Sequence, residues 1–191
     1  MPFAGPYTRP DHTADAPIQV LPPGAVASFF VRRAQRNDAD GLASAVRDAL
    51  QSLFAESYPP DLLDAWTQTV TAESFRTAMD VGESYFVAIP QPHSRVILGL
   101  SSVRVVREAF AIPVYVRPTA ARQSIGRTLH RLAEYEARAR GALTLTIPAY
   151  LPGSFFYAAL GYCEIGSTTL RVSPTHHVAC VTMQKRLHGS A

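Results

Sequence analysis

The run from Val114 to Leu129 constrains this chain more than any other stretch. Residues 111–116 are β-branched, aromatic or small and stop at Arg117-Pro118. From Ser124 to Arg140 the apolar residues Ile125, Leu129, Leu132, Ala133 and Ala137 fall on one helical stripe, with arginines on the other side. Gly141 ends that helix and Leu143–Ile147 reads as a short buried strand. A strand, helix and strand in such close succession form a crossover, and crossovers are parallel and right-handed. The neighbouring strands, 85–89 with 96–106 and 163–172 with 177–184, are joined by short turns and must pair antiparallel. The sheet is therefore mixed, and the fold class is α/β.

The joint between strand 111–116 and its helix also has chemical content. The first amides of a helix have no internal partner, and the positive end of the helix dipole lies behind them. Small residues at Ser124 and Gly126 let an anion approach the main chain, and Arg122 and Arg127 add charge at the mouth. The loop predicts a phosphate cradle. The alternative reading is a plain strand–helix joint in which Gly126 makes room for packing.

The remaining elements place this joint within one domain. Residues 1–27 are rich in proline without a helical or strand period, and read as an extended or disordered arm. The domain spans 28–187, and 188–191 form a tail. Phe29–Val31 begins the first strand. Asn37 or Asp38 caps a helix carrying Leu42, Val46, Leu50 and Leu53. Ser57-Tyr58-Pro59-Pro60 breaks it, a second helical stretch holds Leu62, Leu63 and Trp66, and Thr71 restarts a turn with Phe75 and Met79. Residues 154–160 make a short helix.

Composition excludes several classes. A net charge of +3 with 17% charged residues gives no reason to expect a nucleic acid or a membrane surface as partner. Cys163 and Cys180 are too far apart for a zinc pair and read as core thiols of a reducing compartment. His176 and His177, adjacent in a strand, point to opposite faces and cannot share a metal. No metal is implied. The N-terminus lacks a basic start followed by an apolar run, so the expected localisation is cytoplasmic.

Val114-Tyr115-Val116-x-Pro118 followed by Gly126, and Phe156-Tyr157 followed by Gly161-Tyr162, resemble the two motifs of the GNAT N-acetyltransferase superfamily in the right order. The resemblance implies a GNAT fold: a central mixed, splayed sheet of six to seven strands flanked by about four helices. It implies acetyl-CoA as cosubstrate, held by Val114, Tyr115, Val116 and the loop Ala121, Arg122, Gln123, Ser124, Ile125, Gly126, Arg127 and Thr128. The backbone of Val114 and Val116 would pair with the pantetheine amides. Pro113, unable to donate to a ladder, suits the bulge that splays the family's strand at this position. Two positions depart from the pattern. Ala121 replaces the usual Gln or Arg, and Ser124 replaces the first Gly, a change that requires φ there to stay negative. Pro148–Gly153 has no counterpart of the family's frequent Asn, which leaves the pantetheine contacts on that side open.

By the same resemblance, Tyr157 returns a proton to the leaving thiolate; a phenol is protonated at neutral pH and suited to donate. The general base is open. Glu108 and Glu56 are the candidates, each with a solvated surface carboxylate as the alternative. Phe54 and Tyr58 are expected at the acceptor, a small-molecule or peptide primary amine, with helix-core packing as the alternative for Trp66. Family members often pair through their last strands, which makes a homodimer an expectation. The competing function is a catalytically weak acyl-CoA-binding sensor or interaction module.

Overall fold

The computed structural model describes residues 17–20, 28–105 and 109–187. Eight strands form one sheet: β1 (Ile18–Val20), β2 (Phe29–Arg33), β3 (Ser84–Ile89), β4 (Gly99–Val105), β5 (Ala109–Val116), β6 (Thr144–Tyr150), β7 (Cys163–Arg171) and β8 (His177–Arg186). Their spatial order is β1-β2-β3-β4-β5-β6-β8-β7. Every neighbouring pair is antiparallel except β5 and β6, the predicted crossover. The strand beyond the expected number is β1, which lies inside the proline-rich arm and pairs with β2 from Ile18↔Val31 to Val20↔Phe29. Three residues carry no readable period, and their pairing is supplied by the exposed edge of β2.

Among the described residues five α-helices flank the sheet: α1 (Ala39–Leu53), α2 (Pro60–Thr69), α3 (Ala72–Asp80), α4 (Ile125–Ala139) and α5 (Ser154–Ala158). Thr71 caps α3 by accepting from the Ser74 amide, as its position predicts. Asp38 precedes α1 without a capping bond to it. Its carboxylate instead takes Arg32 in a two-point pair and the Gln35 amide, binding β2 to the helix entrance.

Two apolar layers sandwich the sheet. On one face α1, α2 and α3 bury Leu42, Val46, Leu50 and Trp66 against β3 and β4. On the other, α4 buries Ile125, Leu129, Ala133 and Ala137 against Val103, Leu145 and Ile147. All six residues of β3 are buried, as befits a strand covered on both sides. β7 is an edge strand, and Cys163, expected in the core, is exposed on it; Cys180 is buried, and both thiols are free.

Two features shape the middle of the sheet. Ser102 faces Ile112 and Leu100 faces Tyr115, so Pro113 and Val114 together oppose Ser101 alone, which is a bulge. β5 and β6 pair at only two positions, Ala109↔Leu145 and Phe110↔Thr146. Beyond the bulge the two strands part, and the gap between them opens toward the start of α4.

Candidate active site

Tyr157 stands at the floor of that gap. It is 2% exposed on the one-and-a-half turns of α5, and its phenol oxygen accepts the Val114 amide of the bulge at 2.7 Å. Proline at 113 contributes no donor, and the bulge turns the next amide away from β4 and toward the phenol. Burial pushes the Tyr157 phenol well above its ordinary range, and the Val114 N–H partly offsets this by favouring the phenolate. Among the described residues no protein group accepts the phenol's own proton.

A cavity of about 330 Å³ leads to this hydroxyl. One side is made by Pro113 to Val116 of β5 and by Gly126, and the other by Pro152, Gly153 and Phe156. Its far end is closed by Ala49, Leu53, Phe54 and Tyr150. A Cβ on Gly126 would stand 3.5 Å from both Val114 Cγ1 and Phe156 Cζ, so the glycine keeps the passage between them open. Arg117 fixes the far wall. It pairs with Asp48, donates to Ser44 Oγ at 2.9 Å and reaches the Ile97 carbonyl at 2.7 Å, clamping α1 to the end of β5.

At the mouth, every amide from Arg122 to Arg127 is without an acceptor among the described residues. The stretch of free amides falls where the sequence predicts a phosphate cradle, and it is shorter at both ends than the expected 121–128. The Ala121 amide is taken by the Pro118 carbonyl and the Thr128 amide by the Ser124 carbonyl, so neither residue offers an N–H to a ligand. The backbone also corrects one expectation: Ser124 has φ +63°, not negative, and Arg122 has φ +61°. The left-handed conformation that glycine usually supplies is kept by two residues with side chains, each at about 1–2 kcal/mol. Such strain persists where the loop's geometry is needed, because alternating backbone conformations aim successive N–H groups at one point. Arg122 and Arg127 are exposed there, and neither has a carboxylate partner among the described residues.

Of the Val114 backbone, expected to pair with the pantetheine amides, the N–H already donates to the phenol. Glu56 is exposed, just past the end of α1, and does not line the cavity. Glu108 lies outside the described residues. Phe54 lines the cavity, whereas Tyr58 stacks behind it at 5.9 Å between ring centres. Trp66 packs edge-on to Tyr150 at 4.9 Å, within the helical core. His176 lies in the turn before β8 and bonds to Ser173, apart from His177. Among the described residues no three His, Cys, Asp or Glu side chains cluster as metal ligands, and no helix is long and apolar enough to cross a membrane.

Sequence reasoning missed His130. This α4 residue is fully buried, with Nε2 2.8 Å from the Tyr162 hydroxyl and its ring 5.4 Å from that of Tyr157. Burial lowers its pKa to about 4, which leaves the imidazole neutral. Glu134, itself buried, bonds Lys185 at 2.8 Å alongside. The available signal was a histidine next to Leu129 on the apolar stripe, which reads as core without a specific neighbour.

The family model described as Acetyltransferase (GNAT) family matches residues 44–162. Among solved structures, a GCN5-related N-acetyltransferase from Rhodopseudomonas palustris is 26% identical, with a TM-score of 0.73 over 89% of this chain and 98% of that one. A PaiA N-acetyltransferase from Thermoplasma acidophilum, solved with coenzyme A, is 15% identical at a TM-score of 0.63 over 83% and 98%. A putative acetyltransferase from Salmonella typhimurium, solved with acetyl-CoA, is 17% identical at 0.61 over 85% and 96%. No curated protein matches the chain.

Proposed function

The chain belongs to the GNAT acetyltransferase family, and from that premise we propose that it moves an acetyl group from acetyl-CoA to a primary amine of a small molecule or peptide, by direct attack in a ternary complex. The observation that carries this reading is the path from the unpaired amides of Arg122–Arg127, past Gly126, to the hydroxyl of Tyr157. The two structural neighbours solved with coenzyme A and acetyl-CoA favour the same ligand.

Acetyl-CoA would supply an activated acyl thioester, and the residues present suit it. The amides of 122–127, with Arg122 and Arg127, take the diphosphate. The passage between Val114 and Phe156 is narrow and apolar, matching a pantetheine arm. Tyr157, kept protonated by burial, gives its proton to the sulfur as the C–S bond breaks, and the Val114 N–H steadies the phenolate that remains.

The second reading is an acyl-CoA-binding sensor of little activity. Two observations favour it: Ala121 has only a methyl group, which cannot bond a phosphate, and no carboxylate lines the cavity among the described residues. Thermal shift with acetyl-CoA, together with thiol release over a panel of amines, separates the readings. A shift with amine-dependent release supports transfer, a shift without release supports the sensor, and no shift refutes both.

A further inference from the structure

Among the described residues, the acceptor end of the cavity holds no charged side chain. Its walls are Ala49, Leu53, Phe54, Tyr115 and Tyr150. The hydroxyls of Tyr115 and Tyr150 are turned to each other at 3.1 Å, and Phe54 meets Tyr150 edge to face at 5.5 Å. A nucleophile attacks from about 3–3.5 Å, and a direct base must lie within about 2.6–3.2 Å of the proton it removes. A carboxylate in that role would sit about 6–7 Å from the thioester carbon, close enough to appear in the wall. None of the lining residues is one. Asp48, beside Ala49 in sequence, is held by Arg117, and Glu56 is on the surface. Glu108 is outside the described residues.

The structure assigns the acceptor to weakly basic primary amines: an amino group uncharged near neutral pH, carried on a flat apolar body, as in an arylamine. The inference rests on the acetyl-transfer reading and deepens it. Its core is a proton count. When a neutral amine attacks, its lone pair forms the C–N bond and the C–S bond breaks. Nitrogen then has one proton too many and sulfur lacks one. Tyr157 gives sulfur its proton and recovers the one lost by nitrogen, so a single group closes the cycle. An ammonium acceptor has no lone pair until a further proton leaves, and this wall offers nothing to take it. Aromatic faces attract cations, but holding an ammonium does not deprotonate it. The rings of Phe54 and Tyr150 suit a flat apolar body equally well.

The test uses the full chain, saturating acetyl-CoA and two isomers, 4-methylaniline and benzylamine, with thiol release as the readout. An alkyl ammonium whose pKa lies two units or more above 7 is no more than about 10⁻² neutral at pH 7. The expected result is at least a tenfold higher kcat/KM for 4-methylaniline at pH 7. Its pH profile is expected flat from pH 7 to 9, while that of benzylamine rises about tenfold per unit. Equal or better use of benzylamine at pH 7 overturns the assignment, as does a thermal shift with acetyl-CoA but no turnover of 4-methylaniline. Absence of the shift overturns it too, by removing the transfer reading beneath it. Leu53→Glu supplies the missing acceptor of protons from a position 46% exposed, where a carboxylate is tolerated. It should move the preference at pH 7 at least tenfold toward benzylamine, and an unmoved preference also overturns the assignment.

Discussion

Replacing Tyr157 by Phe removes one oxygen and leaves the ring. The edge-on contacts with Phe156 at 5.0 Å, His130 at 5.4 Å and Tyr162 at 6.0 Å persist, so the change is confined to the bond from Val114 and the acidic proton. The freed Val114 N–H faces the cavity, where water can take it. Loss of one such bond lowers stability by about 1 kcal/mol, or about 2–4 °C in melting temperature for a chain of this size. The proton matters more. The proposed general-acid assistance is worth about 10²–10³, or about 3–4 kcal/mol in the barrier. Acetyl-CoA affinity should change less than about threefold, because the substitution leaves untouched the amides at 122–127 proposed to hold the diphosphate. Single-turnover thiol release with both substrates saturating reads the chemical step, and calorimetry reads binding. An unchanged rate would reduce Tyr157 to packing. A collapse of acetyl-CoA affinity would show that the hydroxyl builds the cavity and is not the acid.

Gly126→Val places its Cβ in ordinary contact but pushes methyl groups into the passage between Val114 and Phe156; acetyl-CoA should bind at least tenfold more weakly, about 1.4 kcal/mol, with no large change in melting temperature. Ser124 at φ +63° should accept glycine with stability kept or raised, whereas Ser124→Val should lose about 1–2 kcal/mol by denaturant titration. His130 gives a pH prediction with a definite sign. Its native pKa of about 4 lies below the unfolded value of about 6.5, so stability is full above pH 6.5 and falls as pH drops toward 4. The loss sums to about 3 kcal/mol, with Glu134 pulling the pKa up and Lys185 pulling it down. His130→Phe should therefore lose less on acidification than the parent chain, and parallel stability curves from pH 7 to 4 would contradict this.

Much of the architecture was legible because it follows from local patterns. The stripe Ile125, Leu129, Ala133 and Ala137 predicts the buried face of α4, and all four are essentially inaccessible. Short turns predict antiparallel neighbours and the crossover predicts the single parallel pair. Pro113 marks the bulge because a missing N–H is a local fact. Leu53 and Leu132 were read on the apolar stripes of α1 and α4 yet are only partly covered, since periodicity names a direction and not what waits there. β1 was invisible because three residues cannot declare a partner.

The residues themselves determined the order of elements and the strand–helix joint whose amides at 122–127 have no acceptor among the described residues, since each depends on neighbours within a few positions along the chain. Tertiary structure decided the rest: that the Val114 amide meets Tyr157, 43 positions away, that His130 backs that ring, and that no carboxylate lines the cavity among the described residues. Distances between remote segments are set by how whole layers pack, and a positive φ at Ser124 is tolerated only because the strands and helix on either side hold its ends in place.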